Sequence, residues 1–325
     1  MAGITDKAFR TICREFGASF SYSEMISADG YIRGSSKTRD LLPYDEDLTA
    51  VQIFGSDPFV LSEAAAELSE QFDWIDLNAG CPVKKVIRKG AGGALIRDLK
   101  ELKKIVKELR RNVKGVFSVK TRLGWERNDF ERIYSILSEE DVDLIAVHAR
   151  TVRQGFEGKA IWEDLSSLNF DGPPVLISGD ILSPEDAKKV LMMTNCQGVI
   201  VARGAVGRPW IFKQIRDLFV KGVYEVPSLE EIKDVALRHL DLLKHYKGEK
   251  KAVKEFRKFI IGYTRDTPNS RKFRRKIMEI EDFNLLKKLL DVFFQRTLYN
   301  LSVKARGGVS CHSIVMWPLT AQEGR

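Results

Sequence analysis

The residue best placed to do chemistry in this chain is Cys81. An isolated cysteine is by default a buried packing residue. This one follows Asn78-Ala79-Gly80 and precedes Pro82, and the chain then runs through Lys84, Lys85, Arg88, Lys89 and glycines 90, 92 and 93. So many cations and glycines do not build a core; they describe a mobile cationic flap over a site. Several short apolar runs also end in polar residues that a buried strand does not need: Gln52, Asn78, Lys120 with Arg122, His148 with Arg150, and Gly179-Asp180. For a lone Lys or Gln the plainer reading is a strand end facing solvent. The same placement on five successive runs points to a shared site. Two loops suit an anion: Ser178-Gly179-Asp180, and Ala202-Arg203-Gly204-Ala205, which leads into Gly207-Arg208-Pro209-Trp210. Glycines let backbone N–H groups approach a phosphate, a helix N-terminus favours negative charge, and Arg203 can pair with it. A bare phosphorylated sugar satisfies that much.

The elements that must position these groups are legible as alternating runs. Residues 19–24, 50–54, 74–77, 116–120, 144–148, 175–178 and 199–202 read as strands. Amphipathic helices at 58–71, 99–111, 130–139 and 184–193 lie between them. This alternation predicts parallel βα units, and seven strands at this spacing predict a (β/α)8 TIM barrel, in which chemistry gathers at the C-terminal strand ends. Residues 1–6 read as a loop entering a helix at 7–16, capped by Thr5 or Asp6. The first barrel strand is therefore expected to be missing or a stub, through truncation or a misassigned start.

After residue 227 the pattern turns wholly helical. Ile232, Ala236, Leu240 and Leu243 recur at helical spacing, as do Ala252, Phe256, Phe259, Ile260 and Tyr263, then Phe283, Leu286, Leu289, Leu290 and Phe293. The expected division is a barrel domain at 1–226, a basic helical domain at 227–304, and a disordered or foreign tail at 305–325. The net charge of +8 is unevenly spread: residues 1–227 carry 32 Lys+Arg against 33 Asp+Glu, and residues 228–304 carry 19 against 11. Lys250, Lys251, Lys254, Arg257 and Lys258 fall largely off the apolar stripe, and Arg271, Lys272, Arg274, Arg275 and Lys276 follow. A polyanion docking on these helices accounts for that placement; a solvated basic face is the plainer alternative. The four cysteines and four histidines form no metal-binding spacing, so no metal is expected, and sparse cysteine suits a reducing compartment. No run approaches the ~20 apolar residues of a membrane helix, and no signal peptide is legible. A soluble, cytoplasmic protein is expected.

The motifs occur in a telling order: Met-Ala-Gly-Ile-Thr-Asp at 1–6, Ser-Glu-Met at 23–25, Val-Gln-Ile-Phe-Gly at 51–55, Leu-Asn-Ala-Gly-Cys-Pro at 77–82 and Gly-Ala-Gly-Gly-Ala-Leu at 90–95. Val-Lys-Thr-Arg-Leu-Gly-Trp at 119–125, Val-His-Ala-Arg-Thr at 147–151, Ser-Gly-Asp-Ile at 178–181 and Ala-Arg-Gly-Ala-Val-Gly-Arg-Pro-Trp at 202–210 complete the set. Together they resemble the tRNA-dihydrouridine synthase family over about residues 1–300. The resemblance implies FMN at the barrel mouth and NADPH as reductant. It implies Gln52 and Lys120 on the isoalloxazine, Met1 and Ala2 behind it, and His148, Ser178, Gly179, Asp180, Ala202 and Arg203 at the ribityl phosphate. The family motif carries a Pro before that Met, and this chain begins at the Met.

The resemblance implies further that uracil C6 accepts hydride from the flavin while Cys81, as general acid, protonates C5. Asn78 would orient the uracil edge and Arg122 would contact the nucleotide. Lys84, Lys85, Arg88, Lys254, Arg257 and Lys258 would grip the backbone of a tRNA whose base has swung out. A monomer is expected. Two rivals stand beside this reading: a dihydroorotate dehydrogenase-like FMN barrel acting on a small pyrimidine, and a tRNA-binding relative that has lost catalysis.

Overall fold

A computed structural model describes residues 1–305. Eight short strands lie in chain order: β1 (Ser21–Tyr22), β2 (Ile26–Ser27), β3 (Thr49–Phe54), β4 (Trp74–Asn78), β5 (Val116–Arg122), β6 (Leu144–His148), β7 (Val175–Ser178) and β8 (Gly198–Ile200). All pairings are parallel, in the order β1-β3-β4-β5-β6-β7-β8, and β2 also pairs with β3. β1 and β2 are two halves of one interrupted strand: Ser21 lies beside Thr49 and Ile26 beside Ile53. At the break the Ser23 hydroxyl accepts the Gln52 N–H at 3.0 Å, standing in for a ladder carbonyl. The run expected at 19–24 is thus displaced and split, and the run expected at 199–202 ends at Ile200.

Helices cover the sheet where expected, at Pro58–Ser69, Leu99–Asn112, Phe130–Glu139 and Pro184–Met193. Asp57 and Asp98 cap the first two, and Ser183 with Asp186 forms a capping box on the last. The β6–β7 connection carries no α-helix, only the short turn Trp162–Leu165. Among the described residues no strand joins β8 to β1. Instead, Ile4 and Thr5 N–H both donate to Met1 O at 3.0 Å, folding residues 1–5 into a turn ahead of the Asp6-capped helix Lys7–Glu15. The fold is a TIM-barrel-like parallel sheet without its first strand, followed by a helical region.

Two apolar cores result. One lies among the strands and their covering helices. The other joins Ala8, Phe9 and Cys13 to Trp210, Ile211 and the helices Leu229–Lys247, Glu249–Phe256, Ile260–Tyr263, Ser270–Ile277 and Phe283–Ala305. The Phe9 ring stacks on His239 at 5.9 Å and lies 5.0 Å from Phe259. Lys247 pairs with Asp6 at 2.5 Å, and Arg238 pairs with Glu15. The first helix therefore belongs to the joint with the helical region. The single helix implied by the period from 252 to 263 is in fact broken between Phe256 and Ile260. The tail expected at 305–325 lies, from residue 306 on, outside the described residues.

Candidate active site

Side chains two residues apart on a strand share a face, so Asp76 and Asn78, and Ser118, Lys120 and Arg122, come in sets. Register sets these groups side by side: Gln52 beside Asp76, Asn78 beside Lys120, Arg122 beside His148, and His148 beside Ser178. The five polar strand ends do converge on one mouth.

The Cys81 loop is held from beneath. Asn78 Oδ1 accepts the N–H groups of Gly80 at 3.2 Å and Cys81 at 2.9 Å. Cys81 O accepts the Gly93 N–H at 3.0 Å. Gly80 packs on the Thr121 backbone, where an added Cβ would lie only 3.0 Å from a carbonyl carbon. Arg122 donates to three carbonyls, Gly80 at 2.8 Å, Thr151 at 2.9 Å and Gly155 at 2.6 Å. These bonds give Asn78 and Arg122 a structural task at the loop. Asn78 spends its carbonyl on the loop and its amide on Gln52 and Met25, and Arg122 is only 2% exposed, so in this structure both hold the Cys81 loop. The Cys81 side chain itself is half-buried, and among the described residues no imidazole or carboxylate is bonded to it.

Lys120 sits half-buried with Nζ 3.4 Å from Ser178 Oγ. Burial first, then the charge of Arg122, lowers it to about 8, against the opposing pull of Asp76 and Cys81. His148 is lowered to about 2 by burial and by Lys120, Arg122, Arg150 and Arg203, so it stays neutral. Its Nδ1 is buried without a partner, as is Nη1 of Arg150. Asp180, expected at the phosphate, instead accepts from Arg150 at 2.6 Å, Ala160 N–H at 2.8 Å and Arg203 at 2.7 Å. Asp180 thereby fixes Arg203, which is exposed, and Arg150, which is not. Burial raises Asp180, but these bonds and charges overcome it and hold it below the usual carboxylate value. Gly179, at φ +113°, has room for no side chain, since a Cβ would lie 3.0 Å from that of Ala160. Ala202 precedes the short turn Arg203–Ala205.

Met1 lies near enough to Lys120 and Cys81 for their charges to reach its amino group; Ala2 is exposed. Lys84, Lys85 and Arg88 are exposed on and just after the helix Lys84–Ile87. Of the expected trio on the later helices only Lys254 is free. Arg257 is half-buried and donates to Ile280 O at 2.6 Å, with Nε enclosed; Lys258 is bonded to Gly3 O at 2.8 Å and Glu255 at 2.5 Å. Both are braces, because the helix turns inward at Phe256–Ile260. Reading strand ends alone missed Asp76 and Ser118, although a carboxylate two residues before Asn78 on a buried strand was a signal. Among the described residues no cluster of His, Cys, Asp or Glu is placed to hold a metal, and no helix is long and apolar enough to cross a membrane.

The Cys81 loop, the desolvated Lys120 and the Ser178-Gly179-Asp180 and Ala202-Arg203 loops thus share one end of a parallel barrel-like sheet, the end at which barrel enzymes carry their chemistry. The profile of the family described as Dihydrouridine synthase (Dus) matches residues 1–298, and the chain belongs to that family. A probable tRNA-dihydrouridine synthase of Aquifex aeolicus is 36% identical over 307 residues, covering 92% of this chain and 95% of that protein. The tRNA-dihydrouridine synthase B of Pseudomonas aeruginosa is 36% identical over 87% of each chain. A probable tRNA-dihydrouridine synthase of Treponema pallidum is 37% identical, covering 82% of this chain and 83% of its own.

Proposed function

We propose that this chain reduces the C5=C6 bond of specific uridines in tRNA to 5,6-dihydrouridine, with FMN at the barrel mouth and NADPH as the reductant. The observation that carries this reading is the Cys81 loop, fastened by Asn78 and Arg122 over a mouth that holds Lys120. The donor set fits a phosphorylated flavin: Arg203 is held by Asp180, His148 Nδ1 is buried without a partner, and Lys120 supplies a desolvated cation. Gln52, Lys120 and Met1 would lie toward its ring system, and His148, Ser178, Gly179, Ala202 and Arg203 toward its phosphate. Bound, the flavin supplies the reducing equivalents delivered to uracil C6. Lys120 stabilises negative charge gathering at the mouth. Cys81 gives a proton to C5, and water restores the thiol. The base must leave the RNA stack to reach this depth, and the exposed cations on the flap and on the helices after residue 227 hold the backbone.

Incubating the protein with unmodified tRNA, FMN and NADPH, then mapping dihydrouridine by position, tests the reading. Conversion at defined uridines is expected. Turnover of free orotate or uracil with tRNA untouched would replace it with a small-pyrimidine reductase. Binding of tRNA by a colourless protein would replace it with an inactive relative.

A further inference from the structure

One group in the barrel interior has no role in the account so far. Asp76 is completely buried, and its carboxylate only accepts: Oδ1 from Ser118 Oγ at 2.6 Å, Oδ2 from Gln52 Nε2 at 2.8 Å. Gln52 Oε1 in turn accepts from Asn78 Nδ2 at 2.9 Å, and Asn78 Oδ1 accepts the Cys81 N–H at 2.9 Å. At the far end Trp74 Nε1 donates to Ser118 Oγ at 2.8 Å, which turns the serine proton onto Asp76. Two side-chain amides thus lie head to tail between an Asp76 whose two oxygens accept here and a backbone N–H that cannot accept. Turning both amides end for end would set acceptor against acceptor at Asp76 and donor against donor at Cys81. Burial raises the carboxylate to about 7, while the bonds from Ser118 and Gln52 and the charge of Lys120 favour the anion.

We propose that Asp76 is a positioning residue for Cys81: its buried carboxylate orients the amides of Gln52 and Asn78, and Asn78 so oriented holds the Cys81 backbone. This deepens the reading above by naming what fixes the thiol loop. Its test needs no uridine, so the two can fail separately.

The row makes a directional demand that substitution can expose. In Asn78→Asp a single Gln52 amide stands between two carboxylates and can serve only one. In Asp76→Asn the new amide offers its oxygen to Gln52 and its NH2 to Ser118, so the row survives. In the double variant Gln52 reverses, donating to position 78 and accepting from position 76, and each link of the row is restored. Hydrogen exchange at Gly80 and Cys81 and alkylation of Cys81 by iodoacetamide are read by mass spectrometry on the full-length protein. Asp76→Asn is expected within about twofold of wild type, Asn78→Asp about tenfold faster in exchange, and the double variant back within about twofold. A double variant that exchanges as fast as Asn78→Asp, or that fails to fold, overturns the proposal. So does an Asn78→Asp protein indistinguishable from wild type.

Discussion

Gly207 and Gly262 meet backbone to backbone. A Cβ on Gly207 would lie 2.8 Å from Gly262 Cα, and one on Gly262 would lie 2.7 Å from Gly207 Cα. Two absent side chains therefore seal the loop after β8 onto the helical region, and the turn Arg203–Ala205 lies just upstream of that seal. Gly207 also sits at φ +64°, whereas Gly262 needs no left-handed backbone, so a change at 262 tests the contact alone.

Gly262→Ala is expected to cost about 1–3 kcal/mol through overpacking and to loosen the Arg203 turn. Thermal melting, with flavin retained per chain after gel filtration, checks both. Unchanged melting would mean that the two backbones separate without cost.

Lys254 and Arg257 are expected to behave oppositely although both carry positive charge in one basic stretch. Lys254→Glu should weaken tRNA binding and lower the slope of log affinity against log salt by about one. Arg257→Met should leave that slope alone and lower the melting temperature, because the Ile280 carbonyl loses its donor. Equal salt slopes for wild type and Lys254→Glu would move the RNA surface elsewhere.

His239 and Asp76 make stability depend on pH with opposite signs. Burial lowers His239 to about 4, with Asp6 opposing and Lys247 assisting, and its Nδ1 lies 3.0 Å from Tyr263 Oη. Between its ordinary 6.5 and that value the unfolded chain binds more protons, so this group removes stability as pH falls. Asp76, raised from 3.8 to about 7, has the folded chain binding more protons, so it removes stability as pH rises. The two largely offset one another in the wild-type protein. In His239→Phe the deficit relative to wild type should shrink by about 2 kcal/mol between pH 7 and pH 5. Denaturant midpoints at the two pH values measure it, and a constant deficit would contradict a neutral buried imidazole.

What the sequence disclosed and withheld follows from range. Strand and helix periods are local, so β6 and β7 and the helices at Phe130–Glu139 and Pro184–Met193 stand where their patterns place them. The Cys81 loop was legible from its glycines and cations. The bonds that Asn78, Arg122 and Asp180 make within the protein were not, because types alone do not say which neighbouring carbonyl or N–H a polar group meets. Asp76 is mid-strand, where the polar strand ends give no sign of it. The first helix was assigned to the barrel because its apolar partners, Leu240 and Phe259, lie far along the chain. A continuous helical period puts Arg257 and Lys258 off the apolar stripe, and the break between Phe256 and Ile260 is what brings them to Ile280 and Gly3.

Protonation of uridine C5 by the Cys81 thiol is measured most directly in the Cys81→Ala protein. The side chain is half-buried and, among the described residues, makes no hydrogen bond, so the variant should fold, keep its flavin and bind tRNA as wild type does. Dihydrouridine formed per tRNA, counted by mass spectrometry in a single-turnover reaction, should fall about 10²–10⁴-fold. A Cys81→Ala protein that reduces tRNA uridines at the wild-type rate would contradict the account.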